Sequence, residues 1–218
     1  MIDVHVRVVG AFQENTWFLH DAAAREVVVV DPGAEPRTLA AEIERLGARL
    51  AAIWITHAHI DHIGGLAGLK VLWPEAPVYG HPLDAPLWEH APRIAAGYGL
   101  PFDATEPPDR ALADGEVLEF GGESFAVWHL PGHAPGHVAF ISASQCFSGD
   151  VLFAGSVGRV DLPLCDPAAL ERSLARLTAL DDAVTVFPGH GPRTTIGHER
   201  LQNPFLNGSL RLRGAAAG

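Results

Sequence analysis

The segment His-Ala-His-Ile-Asp-His at residues 57–62 places three imidazoles and one carboxylate within six consecutive positions. An apolar, strand-like run precedes it and two glycines follow it. Side chains two positions apart in an extended chain point the same way, so His57 and His59 are predicted to reach one metal ion. If the chain turns into a helix towards the glycines, Asp61 and His62 point in another direction. Two neighbouring groups of ligands on so short a segment indicate two neighbouring metal ions.

The alternative interpretation of this segment is a solvated polar loop that binds no metal. A lone histidine is usually a surface or hydrogen-bonded residue, but three histidines beside an aspartate at a strand end are typical of a metal site. Imidazole and carboxylate together suit zinc and the harder transition ions. The chain has only two cysteines, Cys146 and Cys165, in no CxxC pair, whereas closed structural zinc sites mostly use cysteine. We therefore expect an open, catalytic site with two divalent ions, zinc first and iron or manganese as alternatives.

The composition is that of a globular chain. Its 218 residues are 48% hydrophobic and 19% charged, which argues against a disordered polypeptide. This length suffices for one domain with a large core, or at most two small ones. Because no internal repeat or linker divides the chain, residues 1–210 are predicted to form one domain. Residues 211–218 are rich in Arg, Gly and Ala and are predicted to form a flexible tail.

The charge balance argues against polyanionic partners. The formal net charge is −11, and Lys70 is the only lysine among the 15 Lys and Arg residues. An acidic chain without a basic run is a poor ligand for phosphate backbones or anionic lipids. The N-terminus lacks the pattern of a signal peptide, and no apolar run approaches the roughly 20 residues that span a bilayer. We therefore expect a cytoplasmic protein that acts on a small molecule and binds neither nucleic acid nor membranes, with its oligomeric state open.

Hydrophobic periodicity predicts strands followed by helices in each half of the chain. Residues 26–31 are nearly all β-branched, which is typical of a strand buried on both faces. Residues 101–115 hold three prolines and several acids and are predicted to form a loop. This order favours two sheets packed face to face with helices outside, and it leaves the topology open. Strands are predicted at 2–9, 15–19, 26–31, 51–56, 78–80, 117–120, 124–130, 138–142, 146–148 and 184–187, and helices at 38–46, around 66–69, and at 82–98, 167–180 and 196–206.

Three more segments offer metal ligands in one shared context, directly after an apolar strand and beside glycine. They are Pro131-Gly132-His133, Gly149-Asp150 and Pro188-Gly189-His190. Flanking glycines allow a sharp turn and leave room for a metal ion and its water. His133, Asp150 and His190 are therefore predicted to be ligands. Asp150 is a candidate bridge because a carboxylate has two oxygens, and its alternative role is that of a helix cap or turn residue.

Two further polar residues are predicted to support the ligands. Asp31 ends the buried strand at 26–31 and is a candidate to orient a ligand imidazole, as metal-bound histidine usually requires. Its alternative role is to begin the turn at Pro32-Gly33. His137 is predicted to play a structural part by donating a ring hydrogen to a backbone carbonyl.

In order and spacing, these motifs resemble the signature of the metallo-β-lactamase fold superfamily over nearly the whole chain. The resemblance implies an α/β fold, a four-layered αβ/βα sandwich, with a binuclear metal site along one edge of the sheets. It also implies that Asp150 lies between the two ions. The implied ligands are His57, His59 and His133 for one ion, and Asp61, His62 and His190 for the other.

Longer matches are similar to the glyoxalase II (hydroxyacylglutathione hydrolase) branch in its short bacterial form. They are the segments 131–137, 148–153, Gly158-Arg159 and 199–206. Full-length members of that branch carry an added helical domain that supplies much of the glutathione pocket. We expect this chain to lack that domain, which leaves the thiol carrier of the substrate open.

The resemblance implies a hydrolase that cleaves a thioester such as S-lactoylglutathione. A pair of divalent ions can share one water and convert it to a hydroxide near neutral pH, and this hydroxide would attack the carbonyl carbon. Asp61 is predicted to bind its ion and to accept a hydrogen bond from that water. Arg159 is a candidate to contact a substrate carboxylate, with a surface ion pair as its alternative role.

Three other functions compete with this hypothesis. Persulfide dioxygenases also resemble the chain and hold a single iron with two histidines and one carboxylate, which here would be His57, His133 and Asp150. Another hydrolase of the superfamily is the second alternative: a lactonase, a β-lactamase or a nuclease, the last disfavoured by the acidic charge. The third is a metal-binding module without enzymatic activity, which an open, glycine-lined site disfavours.

Overall fold

A computed structural model describes residues 2–212, so Met1 and residues 213–218 of the predicted tail lie outside the described residues. Two six-stranded sheets and six α-helices make up most of the described chain. Among these residues, no helix combines the length and the apolar composition that crossing a bilayer demands. The boundary of a single domain at residue 210 stays a prediction.

The first sheet contains six strands that neighbour one another in chain order. The first three pair antiparallel, and the remaining strands add in parallel. Four helices follow the third to fifth strands. The strands are β1 (Asp3–Val9), β2 (Glu14–Asp21), β3 (Glu26–Val30), β4 (Arg49–Trp54), β5 (Val78–Gly80) and β6 (Arg110–Ala111), and the helices are α1 (Pro36–Arg45), α2 (Ile60–Ile63), α3 (Leu66–Leu72) and α4 (Ala85–Gly97), the last preceded by a 3₁₀ turn at Pro82–Asp84.

The second sheet comes from the second half of the chain. Its strand order is β14-β13-β10-β9-β8-β7, in which only β10 and β13 are parallel. A two-stranded hairpin stands beside it. The bounds are β7 (Val117–Phe120), β8 (Glu123–His129), β9 (Val138–Ile141), β10 (Gln145–Gly149), β11 (Leu152–Phe153), β12 (Ser156–Val157), β13 (Thr185–Pro188) and β14 (Thr194–Thr195), with α5 (Pro167–Leu177) and α6 (Ile196–Gln202).

The two sheets pack face to face through large aromatic side chains. Trp54 of the first sheet packs edge-on against Phe125 and tilted against Phe140 of the second, at centroid distances of 5.3 Å and 5.0 Å. Leu39 of α1 packs on the outer face of the first sheet, and Leu170 of α5 packs on the outer face of the second. The result is a helix–sheet–sheet–helix sandwich, which confirms the predicted fold class.

The elements differ from the predictions mainly where they are short. Strand β6 lies within the predicted loop 101–115, and β14 was not predicted, because two-residue strands carry no readable periodicity. Helix α1 begins at Pro36, two residues before the predicted start, since proline is well tolerated in a first turn. Helix α4 continues through Pro92 despite the lost backbone donor.

One edge of the sandwich collects the carboxyl ends of the parallel strands from both sheets. Strands β3 and β4 are parallel in the first sheet, and β10 and β13 are parallel in the second. The Val138 N–H donates to the Thr56 carbonyl at 2.8 Å, and the Asn15 N–H donates to the Gly189 carbonyl at 2.7 Å. These bonds connect the two sheets at the edge to which the predicted ligands belong.

Candidate metal centre

The segment after β4 presents its donors in two directions, as its spacing predicts. His57 and His59 lie on extended chain, and His59 directly precedes helix α2 with φ −71° and ψ 151°. Asp61 and His62 lie on that short helix. The change from extended chain to helix separates the two pairs of side chains.

The first donor set consists of three imidazoles from both sheets. The Nε2 atom of His57 lies 3.0 Å from Nδ1 of His59, which lies 2.9 Å from Nε2 of His133. His133 belongs to the loop between β8 and β9. Three converging ring nitrogens match the donor type and number with which proteins hold zinc at about 2.0–2.1 Å while leaving a position open.

The second donor set consists of Asp61, His62 and His190, whose ligand atoms lie within 4.8 Å of one another. The Nε2 atom of His190 lies 3.3 Å from Oδ2 of Asp61. His190 directly follows Gly189 after β13. One carboxylate with two imidazoles suits a borderline or harder divalent ion.

Asp150 lies between the two sets. Its Oδ2 is 3.4 Å from Nε2 of His133 in the first set and 3.6 Å from Nε2 of His190 in the second. Its Oδ1 is 3.4 Å from Nε2 of His62. One carboxylate therefore faces donors of both sets, which is the arrangement that a bridging ligand requires.

Buried polar atoms test whether this site fits metal ions. Among the described residues, Nε2 of His62 and Oδ1 of Asp150 are buried without a hydrogen-bond partner. An unpaired buried polar atom costs about 1–3 kcal/mol, and these two attract one another across 3.4 Å without forming a hydrogen bond. A divalent cation would satisfy both, and the residues present fit the binuclear site that the sequence implies.

The outward nitrogens of the ligand rings are held by hydrogen bonds. Nδ1 of His133 donates to the Arg159 carbonyl at 2.8 Å, and Nδ1 of His62 lies 3.0 Å from Oδ2 of Asp31. Nδ1 of His57 lies 3.1 Å from the Thr56 hydroxyl, which donates to Asp31 at 2.6 Å. These contacts leave Nε2 of His57, His62 and His133 facing the donor sets, and such outer hydrogen bonds are typical of metal-binding histidines. Asp31 thus orients one imidazole directly and another through Thr56. The part played by Thr56 was not predicted from the sequence.

His137 accepts a hydrogen bond at the site, whereas the sequence predicted that it donates one. Its Nε2 accepts the backbone N–H of Asp150 at 3.0 Å instead of donating to a carbonyl. Its ring also stacks on that of His57 with a centroid distance of 4.8 Å. The prediction of a donor role was wrong, because the group that faces the ring, an N–H at the end of β10, can only donate.

Two glycines allow these groups to approach. Gly149 has φ +48°, and a Cβ at that position would lie 2.5 Å from the Thr56 hydroxyl oxygen. A Cβ on Gly189 would lie 2.2 Å from Oδ1 of Asp150. Any other side chain would displace the central carboxylate or its neighbours.

Burial and charge set the protonation states of the donors. Burial lowers the pKa of all three imidazoles in the first set, that of His59 to about 3. Burial also disfavours the charged forms of His62 and Asp150, but their mutual attraction raises the pKa of His62 and holds that of Asp150 well below its usual value. Asp61 similarly raises the pKa of His190 against the effect of burial. The lowered pKa values favour neutral imidazoles in the first set, whereas metal binding at the second set would have to compete with protons on His62 and His190.

A cavity of about 520 Å³ opens onto both donor sets. Its wall is mostly apolar and includes Leu87, Ile94 and Tyr98 of α4 and the adjacent segment. Arg159 stands at the rim with its side chain 59% exposed, where it forms a two-point ion pair with Asp161 at 2.6 Å and 2.8 Å. Both roles predicted for Arg159, the surface ion pair and the substrate-facing cation, are compatible with this position.

Two buried acids near the site were not found from the sequence. Glu14 is fully buried with Oε1 unpartnered among the described residues, and burial raises its pKa well above the usual value. Asp84 is also buried, at the N-terminus of α4. Neither residue stands beside a glycine-flanked strand end, so the pattern that located the ligands gave no signal for them.

The conservative substitution Asp31→Asn tests the support of the ligand rings. Asparagine offers one acceptor where Asp31 serves the Thr56 N–H, the Thr56 hydroxyl and His62. We expect the affinity for metal to fall by about 10–100-fold, the usual effect of removing such a partner, as measured by competition with a chromophoric chelator. Asp109→Asn, which alters a carboxylate bound to the Val78 N–H far from the donors, is the control, and equal affinities in the two variants would contradict the assignment.

Comparisons with known proteins show the family to which the chain belongs. A family model described as "Metallo-beta-lactamase superfamily" matches residues 9–190. Hydroxyacylglutathione hydrolase GloC of Haemophilus influenzae is 38% identical over 210 residues, a match that covers 94% of this chain and 99% of that protein.

Solved structures also match nearly the whole chain. TTHA1623 in a di-iron-bound form is 46% identical with a TM-score of 0.85, and the match covers 93% of this chain and 100% of that one. The B3 metallo-beta-lactamase BLEG-1 is 35% identical with a TM-score of 0.84, over 94% of this chain and 99% of that one. The family match over residues 9–190 includes all the donor segments described above.

Proposed function

The chain belongs to the metallo-β-lactamase superfamily, and from this membership we propose that it is a metal-dependent hydrolase that cleaves a thioester such as S-lactoylglutathione. The observation that carries the proposal is the position of the Asp150 carboxylate between two donor sets. Each set contributes three side chains, and both sets face the same cavity. The similarity to a hydroxyacylglutathione hydrolase supports the thioester as the bond that is cleaved.

The chain's own residues define what a bound substrate meets. A pair of divalent ions held by the two sets would polarise a carbonyl and supply a nucleophilic water at neutral pH. Asp61 is about one-fifth exposed to the cavity, so its carboxylate can accept a hydrogen bond from that water. His59 and His190 also line the cavity, which places the donors of both sets at its floor.

The lining of the cavity favours hydrolysis by water over covalent catalysis by the protein. Within residues 2–212, no Ser, Cys or Lys side chain lines this cavity. Cys165 lies nearby, but its thiol donates to the His133 carbonyl at 3.1 Å, and burial raises its pKa. A thioester suits such a site because thiolate is a good leaving group that needs little help from an acid.

The apolar wall of the cavity and the guanidinium of Arg159 determine the substrate class that we propose. Leu87, Ile94 and Tyr98 suit an apolar portion of the substrate, and Arg159 suits one carboxylate at the rim. Small-molecule thioesters with at most one anionic group near the reacting carbonyl match this lining. The strongly acidic chain makes nucleic acid an unsuitable partner.

The decisive experiment combines metal analysis of freshly purified protein with a panel of thioesters that includes S-lactoylglutathione and uncharged aryl thioesters. We expect about two metal ions per chain and release of free thiol that stops on chelation and returns with zinc, iron or manganese. Full metal content without hydrolysis of any thioester would overturn the proposal, and turnover of a lactone or β-lactam instead would move it to another hydrolase of the superfamily.

Metal analysis combined with oxygen uptake tests the persulfide dioxygenase hypothesis. Two of its three proposed iron ligands, His133 and Asp150, lie 3.4 Å apart at the ring nitrogen and the carboxylate oxygen. A dioxygenase would contain one iron per chain and consume oxygen with glutathione persulfide. One iron with oxygen uptake would favour it over the hydrolase.

Arg159→Ala tests recognition of a substrate carboxylate. Arg159 holds His133 through its backbone carbonyl, which the substitution keeps, so we expect unchanged metal content and kcat. KM for S-lactoylglutathione should rise about tenfold, the equivalent of 1.4 kcal/mol. KM for an uncharged aryl thioester should stay the same. Arg172→Ala, on the exposed face of α5, is the matched control. Equal KM changes for charged and uncharged substrates would contradict the role.

A further inference from the structure

Asp84 is a buried carboxylate near the first donor set, and it belongs to neither set. It ends the 3₁₀ turn Pro82–Asp84 and directly precedes α4, and it is only 1% exposed. A buried carboxylate is costly unless hydrogen bonds compensate it, so its partners indicate its role.

Each oxygen of Asp84 accepts a backbone N–H from a different ligand loop. Oδ2 accepts from Ala58 at 2.9 Å, and Oδ1 accepts from Gly136 at 2.6 Å. Ala58 lies between His57 and His59 in the segment that follows β4 of the first sheet. Gly136 belongs to the β8–β9 loop of the second sheet, which also carries His133. One carboxylate therefore connects the two segments that supply the first donor set.

The contact with Gly136 leaves no room for a side chain. A Cβ built on this glycine would lie 2.8 Å from the Asp84 nitrogen and 2.9 Å from its Cγ and Oδ1. The loop thus approaches the carboxylate as closely as a backbone can. Glycine at this position permits the short bond, as glycine does wherever two backbones come close.

The charge state of Asp84 suits a double acceptor. Burial raises its pKa to about 6, while the bonds from Gly136 and Ala58 oppose that rise. The carboxylate is therefore mostly ionised at pH 7, and an ionised carboxylate is acceptor-only. Both backbone donors then have a charged partner, which makes the bonds stronger than neutral ones.

We propose that Asp84 is a positioning residue that fixes the distance between the His57–His59 segment and the His133 loop, so that the three imidazoles converge on one ion. The proposal rests on the metal centre of the proposed function and not on the identity of the substrate. Strand ends and loops move more easily than the sheets that carry them. A bond from each loop to one rigid carboxylate removes that freedom at the place where the ring nitrogens lie 2.9–3.0 Å apart.

The connection also reaches the substrate cavity. Helix α4 begins directly after Asp84 and contributes Leu87 and Ile94 to the cavity wall. The carboxylate therefore sets the position of the wall relative to the metal donors. A change at Asp84 should alter metal affinity first, and KM as a consequence.

The test is Asp84→Asn in the full chain. Asparagine keeps the shape but presents one acceptor and one NH₂ group, so one of the two backbone N–H groups faces another donor. We expect the affinity for zinc to fall by about 10–100-fold in competition with a chelator. We also expect the visible absorption of the cobalt-substituted protein to shift, because the geometry of the first donor set changes.

Two other variants complete the test. Asp21→Asn is the matched control, because Asp21 also accepts two backbone N–H groups, those of Ala23 and Ala24, but in a turn far from the donors. It should keep wild-type zinc affinity. If Asp84→Asn fails to fold, Gly136→Ala disturbs the same contact from the other loop and should lower zinc affinity and shift the cobalt spectrum in the same way.

Several outcomes would overturn the inference. Wild-type zinc affinity and an unchanged cobalt spectrum in Asp84→Asn would do so, as would a lower melting temperature without a change in metal affinity, which is what a merely structural role produces. A wild-type chain that binds no divalent ion would also overturn it. A wild-type chain that binds two ions and hydrolyses no thioester would instead refute the proposed function and leave this inference standing.

Discussion

Replacing Asp150 by alanine is expected to remove stable binding of both ions and to lower thioester turnover by more than about a hundredfold. Removal of a residue that merely supports a ligand costs about 10–100-fold in metal affinity or activity, and Asp150 faces donors of both sets. Its loss would also leave His62 and His133 as two buried imidazoles without their common carboxylate. Metal analysis after gel filtration, together with initial rates, measures both effects.

Two companion variants make the Asp150 result interpretable. Asp150→Asn keeps one oxygen acceptor but loses the charge, so it should retain less metal than wild type and more than the alanine variant. Asp181→Ala removes a surface carboxylate that accepts the Ala183 N–H and should leave metal content and rate unchanged. An alanine variant at Asp150 with two ions per chain would show that the carboxylate does not bridge the two sets.

Replacing Asp61 by alanine is expected to lower turnover by about a hundredfold or more while removing chiefly one ion. Asp61 contributes the only carboxylate of the second set and lies 3.3 Å from the His190 nitrogen. The first set of three imidazoles keeps its donors, so one ion should remain bound. Loss of the acceptor for the nucleophilic water should lower the rate further, even when metal is added in excess.

The measurement is a titration with zinc in which the rate of thioester turnover and the amount of bound metal are both recorded. We expect one tight and one weakened binding step in Asp61→Ala, and no recovery of the wild-type rate at saturating zinc. Glu171→Ala on the exposed face of α5 serves as the control. Full activity with full metal content in the Asp61 variant would remove this residue from the site.

The candidate donors can be predicted from the sequence because their chemistry is local, and their role as metal ligands stays a prediction. Three imidazoles and a carboxylate within 57–62 need no knowledge of the fold to indicate a metal site, and the glycines beside His133, Asp150 and His190 mark the turns that expose them. The structure brings all these side chains together at one edge of the sandwich. What the sequence leaves open is which atoms face one another.

The supporting residues depend on contacts between distant segments. Asp84 acquires its role only when loops from both sheets meet its carboxylate, and Thr56 acquires its role because Asp31 lies opposite it. His137 is an acceptor because its ring faces the backbone N–H of Asp150, and spacing in the sequence does not reveal that contact. Similarly, β6 and β14 each pair with a neighbouring strand, and two residues are too few to show a strand pattern in the sequence.

The most direct test of the account is anomalous diffraction from crystals of the zinc-loaded protein. We predict two peaks about 3.5–4 Å apart, the separation of two-metal hydrolytic sites, on opposite sides of the Asp150 carboxylate. One peak should lie beside His57, His59 and His133, and the other beside Asp61, His62 and His190. A single peak, or peaks away from these side chains, would contradict the account.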